Sequence, residues 1–178
     1  MRSFNVRVFG LLGVFALAGF QACDDDDDPI SPTPPRATRF TASLNTANEN
    51  VTIGSTRPAT GATGTATFNV VDDTTMTFTV TGNNITGVRV GHIHMGTSGV
   101  NGSVIVDLIN NATPTGLVNG ELANGTFRQS NIKAIFEGKP AISMDSLRTL
   151  MQVGAVYANI HTSAFAGGEI RGQIVPAP

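Results

Sequence analysis

The sequence predicts an all-β fold, which we interpret as an antiparallel β-sandwich or flattened barrel with one short helix. From about residue 40 onward, threonine, valine and isoleucine recur in short alternating runs, a pattern typical of half-buried strands. Clusters of glycine, asparagine and aspartate separate these runs, as expected of turns. Only one stretch, near residue 145, has apolar residues at helical spacing. Many short strands with a single helix favour a sandwich or barrel.

The clearest pair of strands is a hairpin around Asp72-Asp73. Residues 63–70 and 75–81 both alternate, and the two aspartates between them mark a turn. Because successive side chains of a strand point to opposite sides, every second residue belongs to one face. We therefore expect one buried face formed by Phe68, Val70, Met76, Phe78 and Val80.

Shorter runs of the same kind predict the other strands. Residues 115–127 have no regular alternation, and we interpret them as a small edge element in which residues 126–127 join 116–118. The last two predicted strands are joined across residues 164–168. The remaining strands are predicted at 40–44, 51–53, 87–95, 103–109, 156–161 and 169–175.

One helix is predicted, beginning after Ser143. A serine accepts a hydrogen bond from the first helical turn, and Asp145 carries a negative charge where the helix dipole favours it. Gly154 is a suitable residue to end the helix. Its apolar face consists of Leu147, Leu150 and Met151.

Residues 1–22 are predicted to be a lipoprotein signal peptide. Arg2 and Arg7 precede an uncharged apolar run at 8–20, which is too short to span a membrane comfortably. The run ends at Ala22-Cys23, which resembles the end of a bacterial lipobox. Cys23 is the only cysteine of the chain, and lipid attachment would explain it. The alternative is an ordinary signal peptide followed by an unused thiol.

Residues 23–39 are predicted to be an acidic and proline-rich tether to a single β domain at 40–178. Five consecutive carboxylates, Asp24–Asp28, repel one another and remain solvated. They resemble the export signal of surface lipoproteins in Bacteroidetes; a spacer or a weak cation-binding segment is the alternative. The prolines at 29–35 favour a stiff extended chain. We expect an outer-membrane or cell-surface lipoprotein of the bacterial envelope, with the lipid as its membrane contact.

The charge of the chain excludes one class of partner. The formal net charge is −2, and the charges of the β domain are few and nearly balanced. A nucleic-acid-binding protein would need a clustered basic surface. We therefore expect no nucleic-acid partner, and consider a protein or glycan ligand instead.

All three histidines lie in two similar segments. His94 and His161 take the same place in these segments, each of which continues into a glycine-containing turn and a β-branched run. In this superposition His92 falls on Asn159. Since His92 and His94 are two residues apart in a predicted strand, their rings share one face. The pattern suggests one site, or one structural device used twice.

Two interpretations of the histidines remain open. In the first, the two hairpins pack face to face and His92, His94 and His161 bind Zn²⁺ or Cu²⁺, with Glu169 as a fourth ligand or as an acceptor that orients a ring. In the second, the rings bond to backbone or to nearby polar groups, Glu169 pairs with a neighbouring cation or with loop backbone, and no metal is involved. The members of this polar network are Asn159, Thr162, Glu169 and Arg171.

The same segments carry motifs of a known family. They are Gly91-His92-Ile93-His94, Asn101-Gly102, Tyr157-Ala158-Asn159-Ile160-His161-Thr162 and Gly168-Glu169-Ile170-Arg171-Gly172. These motifs resemble the chordin-type CHRD domain, which also occurs in bacterial secreted proteins, and the resemblance extends over residues 40–175. It implies a β-sandwich but no generally assigned reaction. The architecture is immunoglobulin-like or similar to Cu,Zn superoxide dismutase, whose metal-binding strand carries a similar His-x-His; that likeness is local.

The sequence favours a non-enzymatic protein over an enzyme. It has no Ser-His-Asp order in a nucleophile context, no paired carboxylates and no phosphate-binding glycine loop, so we assign no catalytic residue. Our leading hypothesis is a lipid-anchored binding or structural module of the CHRD type on the cell envelope. The alternative is a copper or zinc domain that uses the three histidines, with redox activity if the metal is copper.

Overall fold

Nine β-strands and one α-helix make up the part of the chain that the structure, a computed structural model, describes: residues 35–51, 55–111 and 113–178. Pro35–Pro178 form one compact unit. The strands and the helix, in chain order, are β1 (Arg39–Asn45), β2 (Thr63–Asp72), β3 (Thr75–Thr86), β4 (Val88–Met95), β5 (Val104–Asn110), β6 (Leu117–Arg128), α1 (Met144–Gln152), β7 (Val156–Thr162), β8 (Ile170–Gln173) and β9 (Val175–Pro176).

The strands form one antiparallel sheet that nearly closes on itself. Their spatial order is β5-β4-β7-β8-β1-β2-β3-β6, and β9 pairs with β1. The two ends of this order approach each other, because β5 and β6 are in contact and the Lys133 N–H, just after β6, donates to Ile105 O in β5 at 2.8 Å. The predicted all-β fold of the sandwich or flattened-barrel type is therefore confirmed.

The core lies inside the curved sheet and is built from alternate residues of its strands. Of the face predicted for the β2–β3 hairpin, Phe68, Met76, Phe78 and Val80 are buried. Val70 is only partly buried, because the pairing of β2 with β3 shifts between Val70 and Asp72 and turns the end of β2. Complete burial of side chains of this size contributes roughly 1.5–3 kcal/mol each.

The helix closes one side of the core and forms as its sequence predicts. The Ser143 side chain accepts a hydrogen bond from the Ser146 N–H at 3.0 Å, and Gly154 ends the helix region with a φ of 66°. Leu147 and Met151 are fully buried, whereas Leu150 is partly buried. No helix of the described residues is long and apolar enough to cross a membrane.

Three strand predictions need correction. Residues 117–128 form one long strand along β3, and two shifts in the pairing, together with the exposure of most of β6, explain why its alternation is weak in the sequence. Val51 lies outside any strand, and residues 52–53 of that predicted strand lie outside the described part. The last predicted strand is divided, because β8 pairs with β7 whereas β9 pairs with β1.

The pairing of the strands creates a polar row across the sheet. Asp107 is paired with His92, His92 with Asn159, and Asn159 with Arg171. Directly paired residues point to the same side of a sheet, so these four side chains share one face. Ile93, Ile160 and Ile170 lie at the alternate positions and are fully buried in the core. Asn159 and Arg171 are also buried, although they lie on the polar side of the sheet.

Candidate metal centre

The three histidine rings meet on the polar face of β4 and β7. His92 Nδ1 lies 3.3 Å from His161 Nε2, and the ring centroids are 5.0–5.8 Å apart. One ring nitrogen of each histidine can be chosen so that all three lie within 4.8 Å of one another. The described residues contribute no carboxylate to this group. The structure thus brings together the three residues that the sequence suggested as metal ligands.

The route to this convergence differs from the expected one. The β4–β5 and β7–β8 hairpins lie side by side in one sheet, with β4 hydrogen-bonded to β7, so the expected face-to-face packing is wrong. His94 and His161 lie at opposite ends of the β4–β7 pairing, two positions from the central pair formed by His92 and Asn159. Both outer rings lean toward the centre. The strands therefore supply the side chains from both directions along one seam.

Backbone carbonyls fix the orientation of two of the rings. His94 Nδ1–H donates to Gly102 O at 2.9 Å, and His161 Nδ1–H donates to Ala166 O at 3.0 Å. A neutral imidazole that donates from Nδ1 carries its lone pair on Nε2. His94 Nε2 is buried and has no hydrogen-bond partner among the described residues. Nε2 of His94 and Nε2 of His161 therefore each direct a lone pair toward the inside of the cluster.

These hydrogen bonds agree with the polar-network interpretation, and they are also compatible with metal binding. They occupy the outer nitrogens of His94 and His161, whereas ligation needs the inner ones. A metal-binding histidine commonly donates its other N–H to a carbonyl or carboxylate, which sets the tautomer and the ring orientation. The carbonyl bonds are therefore what a preformed metal site requires as well.

Burial keeps the three rings neutral near pH 7. It lowers the pKa of His94 and of His161, and the hydrogen bond to a carbonyl opposes the effect in each case. The pKa of His92 is lowered to about 4, chiefly by burial and then by the neighbouring His161 and His94. Because a metal competes with protons for the same lone pairs, low pKa values favour binding by leaving one nitrogen of each ring without a proton.

The spacing of the nitrogens is compatible with a three-histidine site that closes slightly on binding. Zn–N bonds of about 2.0–2.1 Å in tetrahedral geometry separate ligand nitrogens by about 3.3 Å. The pair formed by His92 and His161 already has this separation. With one nitrogen chosen from each ring, all three lie within 4.8 Å of one another, which exceeds this separation by about 1.5 Å at most. Three imidazoles suit Zn²⁺ or Cu²⁺ and leave a coordination position open.

Tyr157 supports the cluster from beside His94. The two rings are parallel within 5°, with centroids 4.9 Å apart, and the Tyr157 hydroxyl accepts a hydrogen bond from the Gly102 N–H at 3.2 Å. The Arg171 guanidinium lies over the Tyr157 ring, 3.3 Å from its centroid. The stack of imidazole, phenol and guanidinium leaves the His94 ring little freedom to tilt.

Arg171 ties the second hairpin to the loop of the first. Its guanidinium donates to Val100 O at 2.7 Å, to Thr97 O at 3.1 Å and to Asn101 Oδ1 at 3.0 Å. Arg171 is 1% exposed. Of the two partners that the sequence left open for this charge, loop backbone is the one observed, and no Glu169–Arg171 ion pair is present among the described residues. The fork of donors fits a loop that presents several carbonyls.

The expected role of Glu169 beside a histidine is wrong. Its two carboxylate oxygens accept hydrogen bonds from the Thr60 hydroxyl at 2.6 Å and from the Thr162 hydroxyl at 2.7 Å. These bonds use both oxygens of a carboxylate that is 3% exposed. Glu169 and Thr162 thus stabilise the turn after β7, and the Glu169 carboxylate accepts no hydrogen bond from a histidine.

Asn159 also turns away from the histidines. Its amide donates to Glu49 Oε1 at 3.4 Å, whereas Asn159 Oδ1 and Glu49 Oε2 have no hydrogen-bond partner within the described part of the chain. Burial raises the pKa of Glu49, with the Arg171 charge acting against it. A protonated Glu49 can donate to an amide oxygen, which would satisfy such a pair of acceptors.

Three residues that contact the histidines or their polar neighbours do not stand out as site residues in the sequence. Glu49 comes from a distant loop, and no local pattern reveals it. Tyr157 is the only tyrosine and directly follows the start of β7, which is a usable indication. Asp107 is the charged residue of β5 and is paired with His92, so a correct prediction of the strand pairing would have identified it. Cys23 lies outside the described residues.

Comparison with known proteins gives one match. No curated protein and no solved structure matches the chain significantly. The family model of the CHRD domain matches residues 40–174. This range includes the three histidines and strands β1 to β8 except for Arg39, the first residue of β1, and it ends just before β9. The match extends over most of the chain, as the motifs around the histidines predicted. The chain therefore belongs to the CHRD domain family.

Proposed function

We propose that this CHRD domain binds a transition-metal ion, Cu²⁺ or Zn²⁺, through His92 Nδ1, His94 Nε2 and His161 Nε2. One observation carries the proposal: the backbone holds the outer nitrogens of two rings while the buried inner nitrogen of His94 has no partner among the described residues. A network that existed only for stability would be expected to satisfy this atom, because an unsatisfied buried polar atom costs about 1–3 kcal/mol.

The proposed activity is metal binding and not turnover. When bound, copper or zinc with an open position can polarise a small ligand, and copper can also change its oxidation state. The protein's own contribution is to hold three neutral imidazoles on a seam of the sheet and to shield two of them from solvent. This combination suits tight holding of one ion.

The test is metal analysis of the full chain purified without a polyhistidine tag. After loading with Cu²⁺ or Zn²⁺ and removal of free metal, we expect one ion per chain by elemental analysis. A variant with His92, His94 and His161 all changed to Gln should retain none. Because the chain has only three histidines, this variant has no other imidazole.

A matched control separates the site from the acidic tether. The variant in which Asp24–Asp28 are changed to Asn should still bind one ion, since the proposal assigns no role to those carboxylates. Wild-type protein that retains no stoichiometric copper or zinc after loading would overturn the proposal. Binding that disappears with the five aspartates but survives in the histidine variant would overturn it as well.

We also propose that the chain is a bacterial cell-envelope lipoprotein, anchored by a lipid on Cys23 and tethered by residues 23–39. The order of positive residues, apolar run, small residue and single cysteine supports this proposal. In the native host, wild-type protein should fractionate with membranes and incorporate labelled fatty acid, whereas Cys23→Ala should do neither. A Cys23→Ala protein that remains membrane-anchored would contradict it. Binding of a protein or glycan on the cell surface remains a prediction.

A further inference from the structure

The outer nitrogen of His92 faces a carboxylate instead of a backbone carbonyl. His92 Nε2 lies 3.7 Å from Asp107 Oδ1, and the two residues are directly paired across β4 and β5. His94 and His161, in contrast, each donate from the outer nitrogen to a loop carbonyl. The outer partner of His92 is therefore the one partner of the three that carries a charge.

The hydrogen-bond pattern of the metal-free protein favours the His92 tautomer that carries its proton on Nδ1 and so blocks ligation through that atom. His161 donates from Nδ1 to Ala166 O, so its Nε2 is an acceptor. The 3.3 Å contact between this atom and His92 Nδ1 is a hydrogen bond when the proton is on His92 Nδ1, which is the favoured arrangement without a metal. His92 Nε2 consequently directs a lone pair toward Asp107, and two facing acceptors have no reason to approach closer than the 3.7 Å observed.

We propose that Asp107 is the positioning residue of the metal site, which moves the proton of His92 from Nδ1 to Nε2 when a metal binds. The inference rests on the proposed metal function. Ligation through Nδ1 requires the proton to leave that atom, and the carboxylate accepts a hydrogen bond from the N–H that then forms at Nε2. No proton enters or leaves the ring as a whole. When a metal binds, His161 Nε2 would contact the metal instead of His92. His92 would then donate from Nε2 to Asp107 instead of donating from Nδ1 to His161.

Lys133 weakens the interaction of Asp107 with His92. Its ammonium lies 2.7 Å from Asp107 Oδ1, the same oxygen that faces His92. Lys133 and His92 therefore compete for one acceptor. The Lys133 and Asp107 side chains are both 48% exposed, so water can replace either partner at small cost.

The experiment compares Zn²⁺ and Cu²⁺ affinity of the full chain with variants at these two positions. Asp107→Ala should weaken binding about 10–100-fold. Asp107→Glu should recover a substantial part of the loss. Lys133→Gln frees the carboxylate and should tighten binding a few-fold. Asp73→Asn, at a 99% exposed carboxylate in the β2–β3 turn, changes the net charge equally and should leave the affinity unchanged.

A spectroscopic readout separates positioning from a general charge effect. Nitrogen NMR of the imidazoles should show the His92 proton on Nδ1 without metal and on Nε2 in the Zn²⁺ form. Asp107→Ala should leave the metal-free spectrum as it is, because His161 fixes that tautomer. Wild-type protein that binds metal, together with an Asp107→Ala variant of equal affinity, overturns this inference alone. Wild-type protein that binds no metal overturns the proposed function instead.

Discussion

The β4–β5 and β7–β8 hairpins place a histidine in the same way but differ in the residue two positions before it. In each, a loop carbonyl holds Nδ1 of the histidine, which is His94 in the first hairpin and His161 in the second. Where the first hairpin has His92, the second has Asn159, which turns toward Glu49 instead. Two equivalent positions of the hairpins thus provide two of the proposed ligands, whereas the third proposed ligand comes from a position at which the hairpins differ.

The hairpins also differ in how their loops are held. The loop after β4 is held by Arg171, a side chain of the other hairpin. The loop after β7 is held from within, because Thr162 accepts a hydrogen bond from the Phe165 N–H at 3.2 Å and donates to Glu169. The orientation of His94 thus depends on the second hairpin, whereas that of His161 depends mainly on its own.

The largest effect is expected from removing a ligand. His94→Asn and His161→Asn should each lower metal affinity by about 100-fold or more, because each removes one of three first-sphere bonds. His92→Asn places an asparagine at this position in both hairpins and should lower the metal affinity by a similar amount. Titration calorimetry, with the metal-induced rise in melting temperature as a second measurement, reports the change. Equal affinity of wild type and His92→Asn would show that the divergent position is not a ligand.

A large effect on stability is expected from the glycines that support the two loops. A Cβ at residue 102 would lie 1.6 Å from Met95 O, and one at residue 168 would lie 2.5 Å from Asn159 Nδ2 at a φ of +126°. Gly102→Ala and Gly168→Ala should each destabilise the fold by about 3 kcal/mol. Gly167→Ala is the control, since nothing lies within 4 Å of its Cβ position. Urea denaturation measures all three, and equal stability of Gly167→Ala and Gly168→Ala would contradict the assigned packing.

A smaller effect is expected from Arg171→Lys, which tests the dependence of the first hairpin on the second. Lysine keeps the charge but loses the fork of donors, so we expect a loss of about 1–2 kcal/mol and faster hydrogen exchange in residues 97–102. Thr162→Val is the counterpart and should accelerate exchange in residues 163–168 instead. If both variants loosened the same loop, the proposed asymmetry between the hairpins would be wrong.

The smallest effect is expected in the pH dependence of the metal-free protein. His92 has a pKa of about 4 in the folded state and about 6.5 in an unfolded chain. Between these values the unfolded state binds more protons, so the free energy of unfolding falls as the pH falls from 6.5 to 4. His92→Asn should therefore give a shallower pH dependence in this window. Glu49, with its raised pKa, has the opposite effect on the pH dependence but contributes equally to both proteins. If the free energy of unfolding depended on pH with the same slope in both proteins, the neutral state of His92 in the fold would be refuted.

Much of the fold is predictable because its causes are local. Alternation in residues 63–81 identifies the β2–β3 hairpin, and the capping Ser143 with the terminating Gly154 identifies the helix. Residues 117–128 escape prediction because two irregular pairings break the alternation of a mostly exposed strand. Glu169 is misjudged for a related reason. Its position in the motif that follows His161 does not reveal that Thr60, more than a hundred residues earlier, donates a hydrogen bond to one of its oxygens.

The sequence by itself determined the family, the all-β architecture and the three histidines, since these depend on residue identity, short-range periodicity and repeated motifs. Only the tertiary structure decided that β4 lies beside β7, which nitrogen of each ring faces inward, that Asp107 faces His92, and that Arg171 holds the loop after β4. The physical reason is that strand neighbours and side-chain hydrogen bonds are chosen by packing of the whole chain. Contacts between residues 70 positions apart leave no trace in a local pattern.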